Sequence, residues 1–170
     1  MAQEEIIQVL IAIDAETIAT SLGTNTDPQN PAKVTDPTLI WMITKNADAV
    51  SGNAGNELNL KAETEDVIRW RETTLSLNSD YTALLYKFVQ TAGDADLLSP
   101  PQPLLAKAKV PLPNPSNPLQ PGSQEIESYF WETTVLNPGS VTYNFYFMVV
   151  GRDGTVVGYY SWDPYITISD

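Results

Sequence analysis

Residues 141–162 read VTYNFYFMVVGRDGTVVGYYSW, and no other stretch so narrows what the chain can fold into. Val141, Tyr143, Phe145, Phe147 and Val149 recur at every second position, the period of a strand that keeps one face in a core. Asp153 and Gly154 then interrupt the run. A type I′ turn needs two residues that tolerate positive φ, so Asp-Gly between two alternating runs predicts a hairpin, with 141–150 and 156–160 as antiparallel neighbours.

Further strand signals follow the same logic. Residues 6–13 are apolar and β-branched, with Ile7, Val9, Ile11 and Ile13 on one face. Residues 39–44 (LIWMIT) are apolar on both faces, the pattern of a central strand. Residues 57–62 alternate, and 66–74 place Ile68, Trp70 and Glu72 on one side. Strands are also expected at 81–90, after a polar turn at Asn78-Ser79-Asp80, and at 128–135 and 165–169. Helix is scarce: residues 15–22 alone qualify, with Asp14 as N-cap and Gly23 as stop. The stretches 23–37 and 98–122 read as loops. The second holds eight of the thirteen prolines, which cannot donate ladder hydrogen bonds. The expectation is an all-β chain: one domain over 1–170, an antiparallel two-sheet β-sandwich of immunoglobulin or jelly-roll type, with one short helix and a long proline-rich loop.

The side-chain inventory removes most chemistry. There is no Cys and no His, hence no disulfide, no thiolate, no Ser-His dyad and no imidazole-bound metal. The net charge is -12, from 21 acidic and 9 basic residues without a basic cluster, which disfavours nucleic acid and anionic membrane surfaces as partners. The N-terminal MAQEEIIQVLIAID is acidic where a secretory signal is basic, so a cytoplasmic protein is expected. No cofactor is called for.

Residues 70–75 (WRETTL) and 130–135 (FWETTV) form a partial repeat, and the gapless comparison of 65–89 with 125–149 gives seven identities. This predicts two equivalent hairpins, each opening on a strand that ends in Glu-Thr-Thr. Glu72 and Glu132 are then structural carboxylates held by neighbouring Thr hydroxyls. The functional alternative makes them the acid pair of a carboxylate-only hydrolase, which needs them about 5 Å or 6.5–9.5 Å apart on one side of a substrate. The acidic turns offer Asp94, Asp96, Asp153 and Asp163 as ligands for an irregular calcium site, although GDADLL lacks the later residues of a regular calcium loop. Adjacent aromatics must point to opposite faces, so Trp131, Tyr159, Tyr160 and Trp162 are candidates to stack on a glycan or to bury against a second subunit.

The segments IDAETI, ELNLKAETEDVIRWRETTLSLNSDY, LPNPSNPLQP and VGYYSWDPYITI, in that order from residue 6 to 168, resemble the AidA/PixA inclusion-body protein family of Gram-negative bacteria. The resemblance implies a bacterial protein that accumulates under quorum-sensing or growth-phase control, linked to virulence and host association, without enzymatic activity. The inclusion-forming branch is methionine-rich, and with 3 Met this chain stands closer to the AidA-like branch. The favoured expectation is a non-enzymatic protein that forms a homodimer or higher homo-oligomer. A lectin-like glycan-binding module, with or without calcium, is the alternative.

Overall fold

The computed structural model describes residues 5–77 and 80–169. Two sheets share one apolar core. The first contains β1 (Ile6–Ile13), β3 (Ile40–Ile43), β6 (Val67–Thr74), β8 (Gln102–Leu112) and β9 (Gly122–Thr134), in the order β3-β1-β6-β9-β8. The second contains β2 (Ala32–Lys33), β4 (Ala49–Ser51), β5 (Asn59–Glu63), β7 (Tyr81–Ala92), β10 (Gly139–Gly151), β11 (Val156–Trp162) and β12 (Tyr165–Ser169). The helix α1 (Ala15–Leu22) forms where expected: Asp14 accepts the Thr17 amide at 3.1 Å, Ile18 is buried, and Gly23 turns the chain at φ +67°.

The antiparallel immunoglobulin or jelly-roll plan is corrected, because both sheets are mixed. β1 runs parallel to β6, β2 to β11, and β5 to β12. Such partners are far apart in sequence and leave no turn signal between them. The second sheet is simpler than its strand count implies. β11 and β12 follow one edge of β10 in a single register, Trp162 opposite Phe145 and Tyr165 opposite Thr142, so they form one strand broken at Pro164. Pro164 cannot donate, but its carbonyl still accepts the Tyr143 amide at 3.2 Å.

The β10–β11 hairpin is present, but the turn is not type I′. The Gly154 amide bonds the Gly151 carbonyl and the Gly151 amide bonds the Thr155 carbonyl, both at 2.9 Å, and only Gly154 has positive φ, at +81°. That is a type I turn closed by a glycine bulge, the usual three-residue hairpin. Of the polar turn expected at Asn78-Ser79-Asp80, Asn78 and Ser79 lie outside the described residues.

Two further expectations are overturned. The stretch 39–44 supplies an edge strand, β3, not a central one. Ile40 and Met42 enter the core while Ile43 is 40% exposed, so the second apolar face looks outward. Residues 102–112 are a strand rather than loop. Pro103 and Pro111 share parity on β8, which lies at the sheet edge, so both rings occupy the side where no ladder partner waits for an N–H. β8 and β9 make one long ribbon. Since β9 pairs with β6 only through residues 131–134, the ribbon from 107–112 and 122–127 is an arm whose strands pair only with each other.

The Glu-Thr-Thr repeats do not open hairpins. β6 belongs to the first sheet and β7 to the second, and likewise β9 and β10, so each repeat crosses from sheet to sheet. The crossings then meet: β6 pairs with β9 and β7 with β10. The connections, residues 75–80 and 135–138, are long enough to span the roughly 10 Å between packed sheets, which a two-residue turn cannot do.

Candidate functional site

Cross-strand register decides what the two glutamates can do. Trp70 on β6 stands opposite Trp131 on β9, and both face the core. Glu72 shares parity with Trp70, so it enters the core beside Ile11. Glu132 adjoins Trp131 and therefore faces out, opposite Arg69. A one-residue offset puts the two repeats on opposite faces of one sheet. The hydrolase geometry is thereby corrected, because carboxylates on opposite faces cannot flank one bond.

Their partners also differ from the expected Thr hydroxyls. The Tyr129 hydroxyl donates to Glu72 Oε1 in a short hydrogen bond, and Oε2 is buried without a partner. Burial pushes the Glu72 carboxyl up, against the pull of Tyr129. The Tyr129 hydroxyl is itself raised, by burial first and by Glu72 second. Glu132 accepts from Arg69 Nε at 2.6 Å on the half-buried outer face. Of the four repeat threonines, Thr74 bonds the Tyr81 carbonyl at 2.8 Å, which closes the β6–β7 crossing, and Thr133 bonds the Ser99 carbonyl at 2.5 Å, which ties β9 to the segment before β8.

The aromatic candidates pack. Trp131, Tyr160 and Trp162 are buried, with Trp131 Nε1 donating to the Leu85 carbonyl at 3.2 Å and the Tyr160 hydroxyl to the Gly23 carbonyl at 2.8 Å. Trp162 stacks on Phe145 at 6.0 Å between centroids. Tyr159 is half-buried, edge-on to Tyr86 at 5.6 Å, under the loop whose Asn25 carbonyl accepts its amide. These four therefore make no common platform for a sugar. The aspartates are dispersed as well. Asp94 and Asp96 lie near the start of β10, and Asp153 lies beyond its end, about 40 Å away for a strand of this length. Asp163 pairs with Lys33 at 2.9 Å, and Asp153 accepts the Thr155 amide within the turn. Among the described residues, no group of three acidic side chains converges as a metal site.

The site that sequence reasoning missed lies on the outer face of the first sheet. A trough of about 430 Å³ runs between β3 and the base of the arm, floored by Leu10 and Ile43 and walled by Lys45, Arg69, Arg71 and Phe130. The signal was present in the two-faced apolarity of 39–44, which reads as centrality until the strand is known to be an edge. Arg69 stands 4.5 Å above the Phe130 ring, and Arg71 Nη1 donates to Ser128 Oγ at 2.5 Å.

Comparison with known proteins bears on the whole chain. A family model described as PixA, inclusion body protein, matches residues 5–168. No curated protein matches. Among solved structures, the crystal structure of an inclusion body protein (PixA) from Burkholderia cenocepacia J2315 superposes with a TM-score of 0.82 at 23% identity. It covers 99% of this chain and 98% of its own.

Proposed function

Because the chain belongs to the PixA inclusion body protein family, we propose that it is a non-enzymatic protein that self-associates through its β8–β9 arm, and only when abundant. The observation that carries this is the arm's division into two faces. Leu104, Ala106, Ala108 and Val110 lie opposite Phe130, Ser128, Ile126 and Gln124, while Lys107 and Lys109 lie opposite Glu127 and Glu125 on the other side. The charged face carries one ion pair, Lys107 Nζ to Glu125 at 3.4 Å, and stands in water, with Leu105 at its base 80% exposed. Among the described residues no third strand pairs with the arm, and Leu104, Ala106, Ala108, Val110 and Ile126 are left half-buried on its apolar face.

Edge pairing is opposed on the β8 side by Pro103, Pro111 and the two lysines, and on the free β9 edge by Glu125 and Glu127, which two copies would bring close together, so the reading is of face-to-face association. Two arms packed on their apolar sides bring Ala106 and Ala108 of one copy against the larger side chains of the other. Taken over all eleven residues of β8, arm and base together, the two-stranded ribbon presents at most roughly 35 Å by 10 Å, about 350 Å² per copy. A stable interface uses about 800 Å² per partner, so the contact is weak and concentration sets its occupancy. Growth-phase or quorum-sensing control of abundance, and a part in host association, would suit such a protein, since accumulation alone would drive assembly.

Sedimentation velocity over a concentration series tests the reading. The wild type is expected to be monomeric at low micromolar and associated at several hundred micromolar, on the order of the weak affinity such an area supports. The Val110→Asp/Ile126→Asp variant should stay monomeric throughout. A wild type that is monomeric at every concentration overturns the proposal.

A further inference from the structure

The trough on the outer face holds three of the nine basic residues of a chain with net charge -12. Two are engaged with acids: Arg69 with Glu132 at 2.6 Å, and Lys45 with Glu5 at 3.7 Å. Arg71 is not. Among the described residues no carboxylate lies within ion-pair distance of its guanidinium. It is held instead by Ser128 Oγ and by the Tyr129 ring 5.6 Å away. An arginine with no ion-pair partner, felt by the Glu72 carboxyl only through space and fixed by neutral contacts, keeps most of its five donors for an incoming anion.

The register gives the anion a shape. Ile43 stands beside Leu10 across β3 and β1, and Leu10 stands beside Arg71 across β1 and β6. The three form one row across the sheet. Ile43 and Arg71 are two strand spacings apart, about 10 Å. Ile43 and Leu10 are 40% and 43% exposed, unusual for neighbouring aliphatic side chains with nothing between them and water. We infer that this trough binds a small amphiphilic carboxylate, with its head on Arg71 in bidentate geometry and its apolar body across Leu10 and Ile43.

A medium-chain fatty acid or an arylalkanoic acid has this length and polarity. The volume of about 430 Å³ falls in the small-ligand range. Polyanions are disfavoured by the surrounding charge, whereas a single carboxylate meets one matched guanidinium. The arm's apolar side continues the same face, and Phe130 and Ser128 border both, but Ile43, Leu10 and Arg71 all lie off the arm.

Titration with decanoate below its micelle concentration, followed by calorimetry and by amide shifts, tests this. Wild type should bind. Arg71→Gln should weaken binding at least about tenfold, the worth of a charge-assisted pair, and decanol should bind wild type more weakly by a similar factor. Arg71→Lys, which keeps the charge but not the fork, should fall between. Leu10→Asp should abolish binding, while Lys107→Gln on the arm should change nothing. Val110→Asp/Ile126→Asp should bind decanoate as wild type does, which separates this site from self-association. Equal affinity of wild type and Arg71→Gln, or no shift at trough residues up to the solubility limit, overturns the proposal. So does displacement of decanoate by rising protein concentration, which would mean that a second copy fills the trough.

Discussion

Glu72 and Glu132 begin the same tripeptide and should respond oppositely to substitution. Glu72 is buried, has one unpaired oxygen and has its carboxyl pushed up by desolvation. The native state therefore keeps this proton to higher pH than the unfolded chain does. The resulting stability is fully present below the unfolded value and is lost as pH rises through the native one. Glu72→Gln retains an acceptor for Tyr129 and removes the charge, so it should raise the melting temperature at pH 8, by an amount on the order of 1 kcal/mol. That gain should vanish toward pH 4, where the wild-type acid is neutral. Thermal melts at both pH values decide it, and a Glu72→Gln protein that melts lower at pH 8 would show the ionised carboxylate to be stabilising. Glu132→Ala, on the half-buried outer face, removes only the Arg69 pair. It should cost about 0.5–1 kcal/mol, read from the same melts.

At the scale of elements, legibility followed whether a signal was local. The helix at 15–22 was written in its N-cap and stop, and the β10–β11 hairpin in alternation and a glycine turn. Parallel neighbours such as β1 and β6 were invisible, because fifty-three residues separate Ile13 from Val67 and nothing between them records the pairing. The Glu-Thr-Thr repeat, read as two hairpins, belongs to two sheet-to-sheet crossings, and its glutamates face opposite ways by an offset of one residue, which only cross-strand register reveals. The strand β8 was hidden by its own prolines, although Pro103 and Pro111, eight residues apart, are compatible with an edge. If those rings protect the edge, Pro103→Thr/Pro111→Thr restores two donors beside the exposed Leu105 and should promote strand addition between copies. Light scattering at high concentration should rise for the variant relative to wild type. Unchanged scattering would assign the protection to Lys107 and Lys109 alone.

For the whole molecule, charge and apolar surface act against one another. A copy carrying -12 repels its like at long range, while the arm's apolar face attracts only on contact. Between about 0.01 M and 0.15 M salt the screening length falls from roughly 30 Å to 8 Å, so repulsion is curtailed and the apolar contact is almost untouched. Self-association should therefore strengthen with salt, whereas decanoate binding at Arg71 should weaken over the same range. The two proposed activities of this surface thus carry opposite salt slopes, readable in one protein by sedimentation and by titration. If association instead weakens as salt is added, the copies meet through ion pairs. The arm's other face, where Lys107 and Lys109 oppose Glu127 and Glu125, then becomes the interface, with Lys107 exchanging Glu125 for a glutamate of a neighbouring copy.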